Sequence, residues 1–146
     1  MAVFAAGQIL TAAQLNGLAT WEGWTAFTPT YTNVTLGTGP TNVARYSRVG
    51  RLIRAEYSLT LGTGGSVTGT IVCSLPVAAQ GTTVPHKGTA AGIQGSTRRG
   101  AMVDLNSVND FIYIQPDNGA LWAATAPFTW AAGNILRTEI TYEAAS

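Results

Sequence analysis

From residue 53 to residue 61 the odd positions are Ile53, Ala55, Tyr57, Leu59 and Leu61, and the even positions are Arg54, Glu56, Ser58 and Thr60. After Gly62-Thr63-Gly64-Gly65 the same parity resumes, with Val67, Ile71, Cys73 and Leu75 set against Thr68, Thr70 and Ser74. A period of two sends successive side chains to opposite faces of a strand. The stretch therefore predicts two antiparallel strands, each with a dry and a wet face, joined as a hairpin by the glycine turn. A sheet dry on one face needs a second layer to cover it.

Further strands are predicted over residues 31–36, 43–49, 89–94, 98–105, 108–115 and 136–142, punctuated by Gly50, Gly95-Ser96, Asn106-Ser107 and Pro116-Asp117-Asn118-Gly119. Residues 108–115 are apolar on both faces, as in a strand covered on both sides. Residues 78–87 read as a loop, and 120–130 carry no clear period. About eight strands at these intervals predict an all-β fold, an antiparallel β-sandwich of jelly-roll-like form.

The N-terminus departs from this pattern. Thr11 and Gln14 form a capping box, and Leu10 and Leu15 the matching hydrophobic staple, so a short helix is expected to about Leu18. A helix this short needs a surface to lie on, and Val3, Phe4, Ile9, Leu10, Leu15 and Leu18 are the residues expected to face it. The chain divides into an N-terminal arm, residues 1–26, and a β-sandwich domain, residues 27–146.

Composition sharpens the picture. Charged residues make up 10% of the 146, against roughly 25% in ordinary soluble domains. A surface so poor in charge predicts burial between subunits or against a larger assembly. The net charge of +1 gives no general attraction to nucleic acid or to an anionic membrane, and neither is expected as a partner. Residues 1–21 lack the basic start of a signal peptide, and polar residues interrupt every long apolar run, so a soluble chain is expected.

Candidate chemistry is sparse. One His, one Cys and no clustered acids give no metal set, and no cofactor motif is present. His86 has no recognisable catalytic partner, and Cys73 lies on a dry face as a core residue. A paired-carboxylate hydrolase could draw on Asp104, Asp110, Asp117 or Glu139, but their spacing does not favour convergence, and no enzyme activity is expected. Arg45, Arg48, Arg51 and Arg54 fall three apart; strand geometry scatters them, and salt bridges between subunits with Glu56, Asp104 or Glu139 are their expected use. Tyr113, Trp122 and Trp130 are candidates for stacking on a glycan or receptor.

Phe4-Ala5-Ala6-Gly7-Gln8-Ile9-Leu10-Thr11-Ala12-Ala13-Gln14-Leu15-Asn16 resembles an N-terminal segment that recurs in virion proteins of tailed bacteriophages. The likeness continues through Trp24-Thr25-Ala26-Phe27-Thr28-Pro29-Thr30-Tyr31, Ala44-Arg45-Tyr46-Ser47-Arg48-Val49-Gly50-Arg51 and Phe128-Thr129-Trp130-Ala131-Ala132-Gly133-Asn134. It implies a homotrimeric β-sandwich, made in the host cytoplasm and fixed to the virion by its N-terminal arm. The partner would be the major capsid protein or a tail protein. The chain has no collagen-like, coiled-coil or β-helical shaft, which favours decoration of the capsid surface over a minor tail or fibre-tip role binding a host glycan.

Overall fold

The computed structural model describes residues 22–84 and 86–145. They form nine strands: β1 Glu22–Phe27, β2 Tyr31–Thr35, β3 Thr41–Val49, β4 Leu52–Thr60, β5 Ser66–Ser74, β6 His86–Gln94, β7 Thr97–Leu105, β8 Asp110–Ile114 and β9 Ile135–Glu143. The fold is all-β and antiparallel throughout, in one sheet of order β1-β3-β4-β9-β6-β7-β8-β5-β2. The expected helix lies outside the described residues, as do Val3, Phe4, Ile9, Leu10, Leu15 and Leu18.

Antiparallel pairing at every step makes β1 and β2 run the same way at the two ends of this order. Only residues 28–30 separate them, a link that reaches about 14 Å at most. The sheet must therefore curl until its outermost strands meet, and residues 22–35 act as one strand that changes partners at Pro29. The link is tied on both sides. Ser74 N donates to Thr30 O at 3.0 Å and Thr30 N to Ser74 Oγ at 2.9 Å, while Asn42 Nδ2 donates to Pro29 O at 3.1 Å. Residues 22–26, assigned by sequence to the arm, are thus part of the sheet, because β1 pairs with β3 from Glu22↔Arg48 to Phe27↔Ala44.

The parity read from sequence holds on β4, where Ile53, Ala55, Tyr57 and Leu59 are buried, and on β5, where Val67, Ile71 and Cys73 are. The hairpin does not form. β4 pairs with β3 and β9, and β5 with β2 and β8. Residues 61–65 instead arch across the end of the curled sheet, so the two dry faces look at one another, with Tyr57 Oη donating to Ser74 O at 3.3 Å. Alternation is the same for a hairpin and an arch; only the direction of the glycine link differs.

Two arches of like sequence meet at this end. Leu36-Gly37-Thr38-Gly39 lies against Leu61-Gly62-Thr63-Gly64, with Thr38 N to Thr63 O and Thr63 N to Thr38 O both 2.9 Å, and Gly62 N to Leu36 O 2.8 Å. The likeness extends upstream. With Asn33 set aside (it sits at a register shift in β2 with φ +62°), Tyr-Thr-Val-Thr precedes one arch and Tyr-Ser-Leu-Thr the other.

A Cβ on Gly62 would stand 2.3 Å from Thr38 O and 2.9 Å from Pro40 N, so Gly62→Ala must push two backbones apart. It is expected to cost about 3 kcal/mol, the pair of Thr38–Thr63 bonds plus displaced chain. Gly39→Ala, with φ +68° but open space around it, should cost about 1 kcal/mol. Thermal melts of the two variants check this; equal losses would mean that the arches do not hold each other.

A chain of ring contacts fills the interior: Tyr46, Phe27, Tyr57, Phe111, Tyr113, Trp122, Trp130 and Phe128, each with its centroid 4.8–5.9 Å from the next. Most are edge-on or tilted, as the ring quadrupoles favour. Trp122 and Trp130 come from the segment between β8 and β9, which folds in over the core: Trp122 N donates to Tyr113 O, and Ile71 N to Trp122 O, both at 2.9 Å. On β8, Phe111 and Tyr113 are fully buried while Ile112 and Ile114 are half-buried on the outer face.

Candidate functional site

The outer face of β3, β4, β9 and β6 forms a groove of about 630 Å³, within the range of small-ligand sites. Its depth follows from β6, whose outward residues here are Thr89 and Ala91, short side chains beside the long ones of β9 and β3. Two rows of directly opposed residues make the floor. One runs Arg45↔Glu56↔Glu139↔Thr89, the other Val43↔Ser58↔Arg137↔Ala91.

The charges in these rows are unevenly matched. Arg45 holds Glu56 Oε2 through Nε at 2.9 Å and Nη2 at 2.8 Å. Arg54 holds Glu139 Oε1 at 2.8 Å and touches Glu56 Oε1 at 3.4 Å. Glu56 and Glu139 are direct cross-strand neighbours, an arrangement that repels unless cations intervene, and two arginines do. Arg137 has no ion-pair partner among the described residues. Three guanidinium groups face two carboxylates, which leaves one positive charge uncompensated. The Arg45 guanidinium also sits 4.4 Å from the Trp24 ring centroid, a cation–π contact that fixes one end of the groove.

The other arginines of the run are used within the chain. Arg51 reaches Glu143 at 3.3 Å, the Ala144 carbonyl at 3.1 Å, and Gln80; Arg48 Nε donates to Gly50 O at 2.7 Å. The expected salt bridges thus occur, but inside one chain, because β4 lies between β3 and β9 and brings Arg54, Glu56, Arg45 and Glu139 to one surface.

The three aromatic residues nominated for glycan stacking belong to the core. Tyr113 and Trp122 are 0% exposed and Trp130 is 5% exposed, so none presents a ring face to a sugar. Among the described residues Trp24, about one-third exposed, is the accessible indole, and the lack of alternation around it concealed that. The nominated acids do not converge: Asp110 accepts from Asn106 Nδ2 at 2.7 Å, Asp117 lies in the turn after β8, Asp104 faces Ile112 across β7 and β8, and Glu139 lies in the groove. Glu56, expected from sequence only as an ion-pair partner of the arginines, is the acid that stands opposite Glu139.

Burial pushes the Cys73 thiol far above its ordinary 9.0, although hydrogen bonds with Tyr31 and Tyr113 pull the other way. That keeps the sulfur protonated and unreactive. Among the described residues no group of three or more His, Cys, Asp and Glu could hold a metal ion, and no helix is long and apolar enough to cross a membrane. No protein-family model, curated protein or solved structure matches this chain.

Proposed function

We infer that this chain is a structural protein of a phage virion, a homotrimer decorating the capsid surface and held by its N-terminal arm. The observation that carries the reading is where the arm joins. Residues 1–21 enter at Glu22 on β1, the outermost strand of an already closed sheet, and the described core is filled by side chains from Phe27 to Ala144. Attachment through residues 1–21 would leave this core undisturbed. Val49 and Leu52, exposed and paired across the β3–β4 turn, are an apolar spot open to a neighbouring copy. The curled sheet also suits the jelly-roll-like sandwich of this reading.

Each arm contributes apolar burial at about 25 cal/mol per Å², and three linked arms multiply it through effective concentration. Deletion of residues 1–20 is expected to leave a folded trimer that no longer co-sediments with particles. A truncated protein that still decorates them, or a full-length chain that stays monomeric at micromolar concentration, overturns the reading. Copy number separates the two placements: hundreds per particle mean capsid, a handful mean a tail tip.

A further inference from the structure

We propose that the groove over β3, β4, β9 and β6 binds an acidic saccharide, one carrying a carboxylate on a hydroxyl-rich chain, with Arg137 as the carboxylate anchor. The groove would bind such a ligand whether or not the chain belongs to a virion.

Arg45 is committed to Glu56 and Arg54 to Glu139, so Arg137 is the guanidinium left open to a ligand. Its cross-strand neighbours are Ser58 on one side and Ala91 on the other, neither of which can neutralise it. A guanidinium presents a planar fork of donors that matches a carboxylate in two parallel hydrogen bonds.

The flanking acids then select among anions. Glu139 lies two residues from Arg137 on the same face of β9, and Glu56 is diagonal to it across β4. A single surplus positive charge between two carboxylates accepts a monoanion and repels a phosphate dianion or a run of acidic residues. The same carboxylates are acceptors for hydroxyl donors, and Ser58 and Thr89 add hydroxyls that both donate and accept. Polar groups spaced along the floor suit a ligand rich in hydroxyls, and Val43 and Ala91 offer apolar surface to the C–H face of a sugar ring. Four adjacent strands span about 14 Å, room for a short oligosaccharide rather than one monosaccharide.

The test is titration calorimetry of the full-length protein with an aldotriouronic acid, a trisaccharide carrying a single uronate carboxylate, alongside maltotriose as a neutral trisaccharide and a hexaglutamate peptide. Saturable binding of the uronate is expected, with little or none of the other two. Arg137→Ala should weaken it by roughly tenfold or more, the loss of a charge-assisted pair, with an unchanged thermal melt because Arg137 is exposed. Ala91→Phe, which removes no charge and fills the floor, should abolish binding as well. Absence of uronate binding overturns the proposal, as does binding that survives both substitutions. Equal binding of maltotriose would refute the carboxylate anchor, and equal binding of hexaglutamate would refute the saccharide class.

Discussion

Raising the pH above 10 is expected to unfold this protein in one cooperative step, with little change in stability between pH 6 and 9. Burial raises the phenols of Tyr31, Tyr57 and Tyr113 far above their ordinary 10.0, with the neighbouring Cys73 pushing in the same direction. Cys73 is itself raised by burial. All four are neutral when protonated. Above the unfolded-state values the unfolded chain releases these protons while the folded chain keeps them. The folded state then binds more protons, and stability falls as pH rises. The stabilisation is fully present below about pH 9 to 10 and is lost progressively above it.

Each retained proton gives a slope of about 1.4 kcal/mol per pH unit. Four together remove about 5–6 kcal/mol per unit, so a domain stable by about 5–15 kcal/mol is exhausted within roughly one to three units. Tyrosinate absorbance and far-UV circular dichroism followed over the same titration should change together. Phenols that ionise near pH 10 while the circular dichroism stays native would show that these side chains are not sealed in.

Trp122→Ala is expected to be the most damaging of the core truncations, at about 4 kcal/mol, or a fall in Tm of about 10 °C for a domain of this size. The indole is completely buried, stacks on Tyr113 at 5.6 Å with an 18° interplanar angle, and lies 5.9 Å from Trp130. Its backbone also bridges Tyr113 and Ile71, so a void here loosens the cover of the whole interior. Trp122→Phe should cost much less, since it keeps a ring against Tyr113 and removes an indole N–H that finds no acceptor among the described residues. Chemical denaturation of both variants decides the matter. A Trp122→Ala protein as stable as the parent would place the indole outside the core.

Several features of the fold are legible in the sequence. Strands at residues 31–35, 41–49, 52–60, 66–74, 97–105 and 135–143 appear within one or two positions of where alternation put them. On β4 and β5 the apolar parity is the buried one, whereas Val43 and Val49 of β3 are exposed and Ala44 and Ser47 are buried instead. β1 was missed because Glu22, Gly23, Trp24 and Thr25 show no alternation, and the strand shifts register between Glu22 and Thr25. Trp122 and Trp130 were misjudged because the segment carrying them has no period at all, so nothing local says that it folds inward. The groove was out of reach for a different reason: Glu56 and Glu139 are 83 positions apart in sequence and become neighbours only when β9 returns beside β4.

By itself the sequence determined the all-β class and which sides of β4 and β5 are dry, because alternation is a property of each strand alone, set by where its own Cβ atoms point. Tertiary structure alone decided which strands are neighbours, that the glycine-rich links arch rather than reverse, and that three arginines meet two glutamates on one surface. Those outcomes depend on how a sheet closes on itself, and closure is set by contacts between segments that no short window of sequence contains.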